Sequence, residues 1–339
     1  MAITAYGYTH NCLTVRLPFV QCIHSMLAVC DEVIIIDAAS SDGTYELLQA
    51  IPGLRLYRRE YPYDTGTADS DLKREARELV TTDLCWGIDI DEVIHEKDYS
   101  GWSQIISQLS SNSRAKIVLP RVDFWSLDMY QLRTRYHAIH LNLPYLSVDV
   151  PLECQFTNPR TGHICSNGPH YDYVDTRTGK SFTAEPMSWL DPSDSELLTA
   201  FENPIESEEE RARRERLYLE YIQYHPTLYH YSRASQRRKH LQQHTFDSHQ
   251  YRLLFGELDS WAGRFAIYPN AQFPSFEAIM DTQAIMDHGR PYLVDVPTSL
   301  SHPSIMSSWV HEFRNMTEED WISFYEEIRE FALHNGPSR

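Results

Sequence analysis

Residues Asp31–Thr44, DEVIIIDAASSDGT, decide the fold. Val33 to Ile36 form an apolar run with no alternation. A strand that is apolar on both faces belongs inside a parallel sheet with helices on each side. The small-residue loop AASSDGT ends the strand at Asp37, and Tyr45–Ile51 reads as a helix. Upstream, Ala2–Tyr8 reads as a first strand. A helix is expected over Leu13–Val29, with Leu17, Val20, Ile23 and Leu27 at helical spacing and Pro18 near its first turn. Downstream, Pro52-Gly53 turns the chain into a third strand at Leu54–Arg58, and Asp69–Val80 follows as a helix. This alternation is the doubly wound α/β pattern, whose ligands bind at the carboxyl ends of the strands.

A second strand end carries more charge. Leu84–Glu92, LCWGIDIDE, reads as a short buried strand ending in Asp89, Asp91 and Glu92. Alternation along that strand would put Asp89 and Asp91 on one face. Hard oxygen donors there suit Mg²⁺ or Mn²⁺ beside a substrate phosphate. The plainer alternative is that the acids end the strand and cap the next helix. Helix Gly101–Leu109 and strand Arg114–Phe124 complete the first part. Beyond Trp125 the pattern loosens, residues 206–224 read as a charged, exposed helix, and Glu318–His334 reads as an amphipathic one.

The totals narrow the class. The 339 residues allow one large α/β domain with additions or two modest ones. An excess of 48 acidic over 30 basic residues gives a net charge of −18. That disfavours nucleic acid or an anionic membrane as the main partner. The 6 cysteines form no C-x-x-C and read as reduced core thiols, as in a cytoplasmic protein. The sequence opens on a strand with no apparent leader, and no apolar run approaches the roughly 20 residues of a membrane helix.

Together, DEVIIIDAASSDGT and WGIDIDEVI resemble the GT-A glycosyltransferases of the large family-2 type, in which V-D-x-x-S-x-D-G-T precedes D-x-D-E by about fifty residues. The resemblance covers residues 1–125 well and the rest loosely. It implies a GT-A, Rossmann-like central sheet, mostly parallel and flanked by helices, with a C-terminal helical or irregular extension. Residues 1–125 would be the nucleotide-sugar-binding half, 126–250 the acceptor-binding half and 251–339 the extension. It also implies transfer of a sugar from a nucleotide-diphosphate donor of UDP or GDP type to a glycan or other hydroxyl acceptor, usually with inversion, and dependence on Mn²⁺ or Mg²⁺.

Carried over residue by residue, Tyr8, Thr9 and Asp37 look like nucleotide contacts. Asp89 looks like the shared ribose and metal contact, and Asp91 like the direct metal ligand. Lys73 or Arg74 fits the basic position on the preceding helix. His230, in Tyr229-His230-Tyr231, matches a late histidine that can complete the metal site. Candidate bases are Asp172, Asp123 and Glu153, with Asp172 favoured for its polar, aromatic-flanked turn beside His170. The run Arg237-Arg238-Lys239 could approach a diphosphate, though a solvated helix face accounts for it as well. His240 and His244 have zinc spacing, but no acid or cysteine completes a set. Two other readings remain. A sugar-phosphate nucleotidyltransferase would carry a glycine-rich phosphate loop after the first strand, and AYGYTHNC has a single glycine. A non-catalytic sugar- or partner-binding module would not need Asp37, Asp89 and Asp91 intact. A surface glycan, a protein or a modified DNA base could each be the acceptor.

Overall fold

Val33, Ile34, Ile35 and Ile36 are all fully buried, in a strand covered on both faces. In the computed structural model Val33 and Ile35 pack with Phe19, Ile23 and Met26 of one helix, while Ile34 and Ile36 pack with Leu72 and Ala76 of another. Two helical faces explain the missing alternation. Each such side chain contributes about 1.5–3 kcal/mol on burial. The structure describes residues 2–61, 68–111, 116–131, 135–142, 146–147, 156–157, 164–165, 173–175, 181–182, 207–224, 226–231 and 293–335.

The fold is α/β, with helices against a central sheet. The nucleus runs β1 (Ile3–Thr9), α1 (Phe19–Leu27), β2 (Glu32–Ala38), α2 (Thr44–Gln49), β3 (Leu54–Arg59), α3 (Ala68–Glu78) and β4 (Leu84–Gly87). Its four strands are parallel in the order β4-β1-β2-β3. Next come β5 (Glu92–Ile94), α4 (Tyr99–Ser111), β6 (Lys116–Ser126), β7 (Met129–Gln131) and β8 (Arg135–Leu141). β8 pairs antiparallel with both β4 and β6, so the sheet changes direction beyond β4. Later segments return to it. β9 (Leu228–His230), which follows α5 (Glu208–Tyr224), pairs parallel with β6 and antiparallel with β5. β10 (Leu293–Asp295) pairs with β7. Helices α6 (Ser307–Arg314) and α7 (Glu318–Asn335) then place Trp309, Phe313, Trp321 and Phe324 in the main core.

Two local expectations change. The first helix begins at Phe19, not Leu13, with Pro18 as its cap residue. The backbone N–H of Leu13 donates to Thr44 Oγ1 at 3.1 Å and that of Thr14 to Asp42 Oδ2 at 2.7 Å, so this segment is tied to the loop after β2 and is not helical. Helix α5 is not solvated all round. Tyr218, Ile222 and even Arg214 are buried, Arg214 with its Nε 2.7 Å from Glu210 Oε1.

Candidate metal centre at the end of β4

The chain leaves the sheet at Gly87, where a Cβ would meet the Tyr6 hydroxyl at 2.9 Å. Asp89 to Glu92 then form a turn, closed by the Glu92 N–H donating to the Asp89 carbonyl at 3.0 Å. The expected strand alternation is therefore not what brings Asp89 and Asp91 together; the turn does. A strand continued through three carboxylates would carry them into the sheet interior at a large desolvation cost. Glu92 is the one acid that enters, in β5, and it does not cap a helix. Its side chain is fully buried, accepts the Asp89 N–H at 3.0 Å and faces Arg121 Nη1 at 2.8 Å.

The sheet brings in the third donor. Parallel pairing of β9 with β6 sets His230 opposite Asp123, and antiparallel pairing with β5 sets it opposite Glu92. The Tyr231 N–H donates to the Asp91 carbonyl at 3.0 Å and fixes the turn against β9. One ligand atom each from Asp89, Asp91 and His230 then lie within 4.8 Å of one another. His230 Nε2 is 3.4 Å from Asp91 Oδ1, and Nδ1 is 2.6 Å from Asp123 Oδ1. Arg121 lies beneath, its Nε 3.0 Å from Asp123 Oδ1 and its Nη1 3.7 Å from Asp89 Oδ2. Lys73 reaches across from α3 to pair with Asp89 Oδ1, on the side where both side chains stay about a third exposed.

Two carboxylates and an imidazole form a donor set for a divalent cation, and the nitrogen donor suits Mn²⁺ better than Mg²⁺. Lys73 pairs with Asp89, and Arg121 faces Asp89, Glu92 and Asp123. Burial and Arg121 push the His230 pKa down, but Asp91 and Asp123 outweigh them and hold it above its ordinary value. Two buried thiols line the neighbourhood. Cys22 Sγ donates to the Asp89 carbonyl at 3.5 Å. Cys12 is pushed well up, first by burial and then by Asp42, Asp37 and Asp91.

The other expected contacts stand two strands away, in the loop after β2. Asp37 is fully buried, and its Oδ2 accepts the Ser40 N–H at 3.0 Å. The buried Thr9 hydroxyl donates to Asp37 Oδ1 at 3.3 Å. Arg58 approaches Asp37 at 3.7 Å, donates to the Ser40 carbonyl at 2.9 Å and lies 4.4 Å over the Tyr45 ring. Asp42 Oδ1 accepts the Thr44 N–H at 3.0 Å, across Gly43 at φ +94°. Tyr8 is partly buried against the cluster on the α3 face. His10 stacks on Tyr61 with ring centroids 4.2 Å apart, at the open end of β1.

Of the candidate bases, Asp172 and Glu153 lie outside the described residues, as do His170, Arg237-Arg238-Lys239, His240 and His244. Asp123 is buried, with its Oδ1 2.6 Å from His230 Nδ1. Sequence reading missed Arg121 and the site role of Glu92. The signal for Arg121 was present. Arg121 and Asp123 alternate with Val122 and Phe124 in one strand, so two charges share one face of an otherwise apolar element.

Among the described residues no helix is long and apolar enough to cross a membrane. No family model matches the chain, and no characterised protein matches it in sequence. Solved structures overlap it in part. Staphylococcus aureus TarS aligns at 13% identity and a TM-score of 0.33, over 66% of this chain and 43% of that one. Its 1–349 fragment aligns at 13% identity and a TM-score of 0.30, over 42% and 47% respectively. The fragment has also been solved with UDP and with UDP-GlcNAc. A 4-diphosphocytidyl-2C-methyl-D-erythritol synthase from Anaerococcus prevotii aligns at 11% identity and a TM-score of 0.30, over 42% and 71%. The chain thus spans less than half the length of the TarS structures it overlaps.

Proposed function

We propose that the protein is a metal-dependent glycosyltransferase of GT-A type. It moves a sugar from a nucleoside-diphosphate sugar of UDP or GDP type to an acceptor hydroxyl, with inversion at the sugar carbon. The observation that carries this reading is the Asp89–Asp91–His230 cluster at the carboxyl end of β4. A bound Mn²⁺ or Mg²⁺ would supply charge neutralisation for a diphosphate leaving group. Asp89, Asp91 and His230 would hold it.

The chain's own residues do the rest. Lys73, on the open side of Asp89, offers a further cation to the diphosphate. Arg121 lies against the buried carboxylates of Glu92 and Asp123 under the site and offsets their charge. The loop from Asp37 to Thr44, braced by its own carboxylates, shapes the nucleotide side of the cleft, where Tyr8 and Thr9 end β1. Asp172 is the base assigned to the acceptor proton. A surface glycan is the favoured acceptor. A cytoplasmic setting is part of the same reading, in keeping with the buried thiols of Cys12, Cys22, Cys30 and Cys85, which form no disulfide.

A thermal-shift screen of UDP, GDP, CDP and dTDP sugars, each with and without Mn²⁺, tests the reading. One nucleotide should stabilise the protein, and only with the metal. Absence of any shift across the whole set would reject it. Pyrophosphate release from a nucleoside triphosphate and a sugar phosphate would instead identify a nucleotidyltransferase.

A further inference from the structure

His230 is gripped on both ring nitrogens. Nδ1 meets Asp123 Oδ1 at 2.6 Å, and Nε2 faces Asp91. The grip on Nδ1 is built from the sheet, because the parallel register of β9 and β6 sets His230 beside Asp123. Asp123 is held in turn by Arg121 Nε at 3.0 Å, and Arg121 by Glu92 at 2.8 Å. The Tyr218 hydroxyl donates to the Arg121 carbonyl at 3.0 Å and clamps the strand from α5. Every member of this chain is buried.

We propose that Asp123 is a positioning residue for the metal centre. Its carboxylate keeps the His230 ring in the tautomer with the proton on Nδ1, so that the Nε2 lone pair is directed at the space shared with Asp89 and Asp91. The proposal rests on reading that cluster as a cation site. A neutral imidazole carries one N–H and one lone pair, and the hydrogen bond at one nitrogen fixes the other. A carboxylate only accepts, so it draws the proton to Nδ1 and makes Nε2 the better donor to an ion. Burying a carboxylate here is otherwise costly, and Arg121 offsets that cost.

The first test needs neither metal nor activity. In the metal-free protein with nitrogen-labelled histidine, at a pH above the ring's titration, His230 should show a protonated Nδ1 and an unprotonated Nε2. The reverse tautomer would overturn the proposal. The second test is Mn²⁺ titration of variants by electron paramagnetic resonance. Asp123→Leu should weaken binding about 10–100-fold. Asp123→Asn should fall between, since its amide oxygen still accepts from Nδ1. Wild-type affinity in a folded Asp123→Leu protein would also overturn it. If that variant does not fold, the spectrum of the wild-type ring decides. A wild-type protein that shows the expected tautomer but binds no Mn²⁺ would reject the cation site and leave the ring's orientation standing.

Discussion

The loop after β2 and the turn after β4 both present aspartates at the carboxyl ends of parallel strands, yet they use them in opposite ways. In the first, Asp37 accepts the Ser40 N–H and Asp42 accepts the N–H groups of Thr44 and Thr14, so the acids hold the shape of the loop. In the second, Asp89 and Asp91 meet Lys73 from α3, Arg121 from β6 and His230 from β9. The loop's acids meet main-chain donors at close range, whereas the turn's acids meet side chains that arrive from α3, β6 and β9.

Asp91→Asn gives the largest expected effect. Removing a direct ligand should cost at least the roughly 100-fold in metal affinity that losing a supporting residue can cost. The metal-free protein should keep its fold, because the Tyr231 contact to the Asp91 backbone remains. Calorimetry with Mn²⁺ and a melt without it would check both. Asp37→Ala should do the reverse. It leaves the Ser40 N–H and the Thr9 hydroxyl buried without their acceptor, a loss of about 2–3 kcal/mol of stability. Mn²⁺ affinity should change by only a few-fold. If Asp37→Ala abolished metal binding at unchanged stability, the contrast between the two loops would fail.

Protons should separate the loops as well. The His230 pKa is raised in the metal-free protein, so the ring's contribution to stability is complete below its unfolded value. It is lost as pH rises through the higher folded value. An ion at Nε2 must displace that proton. The apparent affinity for Mn²⁺ should therefore fall on acidification, through a window that begins above the ordinary histidine value of 6.5. Melting curves across pH, with and without Mn²⁺, should converge at the acid end. Curves that stay parallel would place His230 outside the site.

The succession of β1, β2, β3 and β4 along the chain was legible because apolar runs in β1, β2 and β4 and alternation in β3 are punctuated by turn residues and acids, and local patterns suffice for that. The Asp89–Asp91 pair was legible as chemistry, but its geometry was misread, since nothing in IDIDE distinguishes a strand from a turn without Tyr6 filling the space at Gly87. His230 could be suggested only by resemblance. Its place depends on β9 returning to pair with β5 and β6, a contact 107 residues apart at Asp123. Arg121 was missed for the same reason, because a buried arginine makes sense only when its acids are known. The charge on α5 misled in the other direction. Seventeen residues rich in Glu and Arg still bury Tyr218 and Ile222, which an average over the helix conceals.

The smallest effect tests the open edge of the site. Lys73 pairs with Asp89 where both side chains are about a third exposed, so solvent screens the pair. Such a pair is worth about 0.2–1 kcal/mol, up to roughly fivefold in a binding constant. Without nucleotide its ammonium competes with an ion for Asp89, so Lys73→Met should tighten Mn²⁺ binding by about two- to fivefold. With a nucleoside diphosphate present the sign should reverse, because the ammonium then has phosphate oxygens to meet and its loss weakens the ternary complex. The two titrations together discriminate between roles. Tightening in the first and weakening in the second identify Lys73 as a cation shared between Asp89 and the diphosphate. Weakening in both would make it a support that holds Asp89 in place, and the turn after β4 would then resemble the self-bracing loop after β2 more than the present contrast allows.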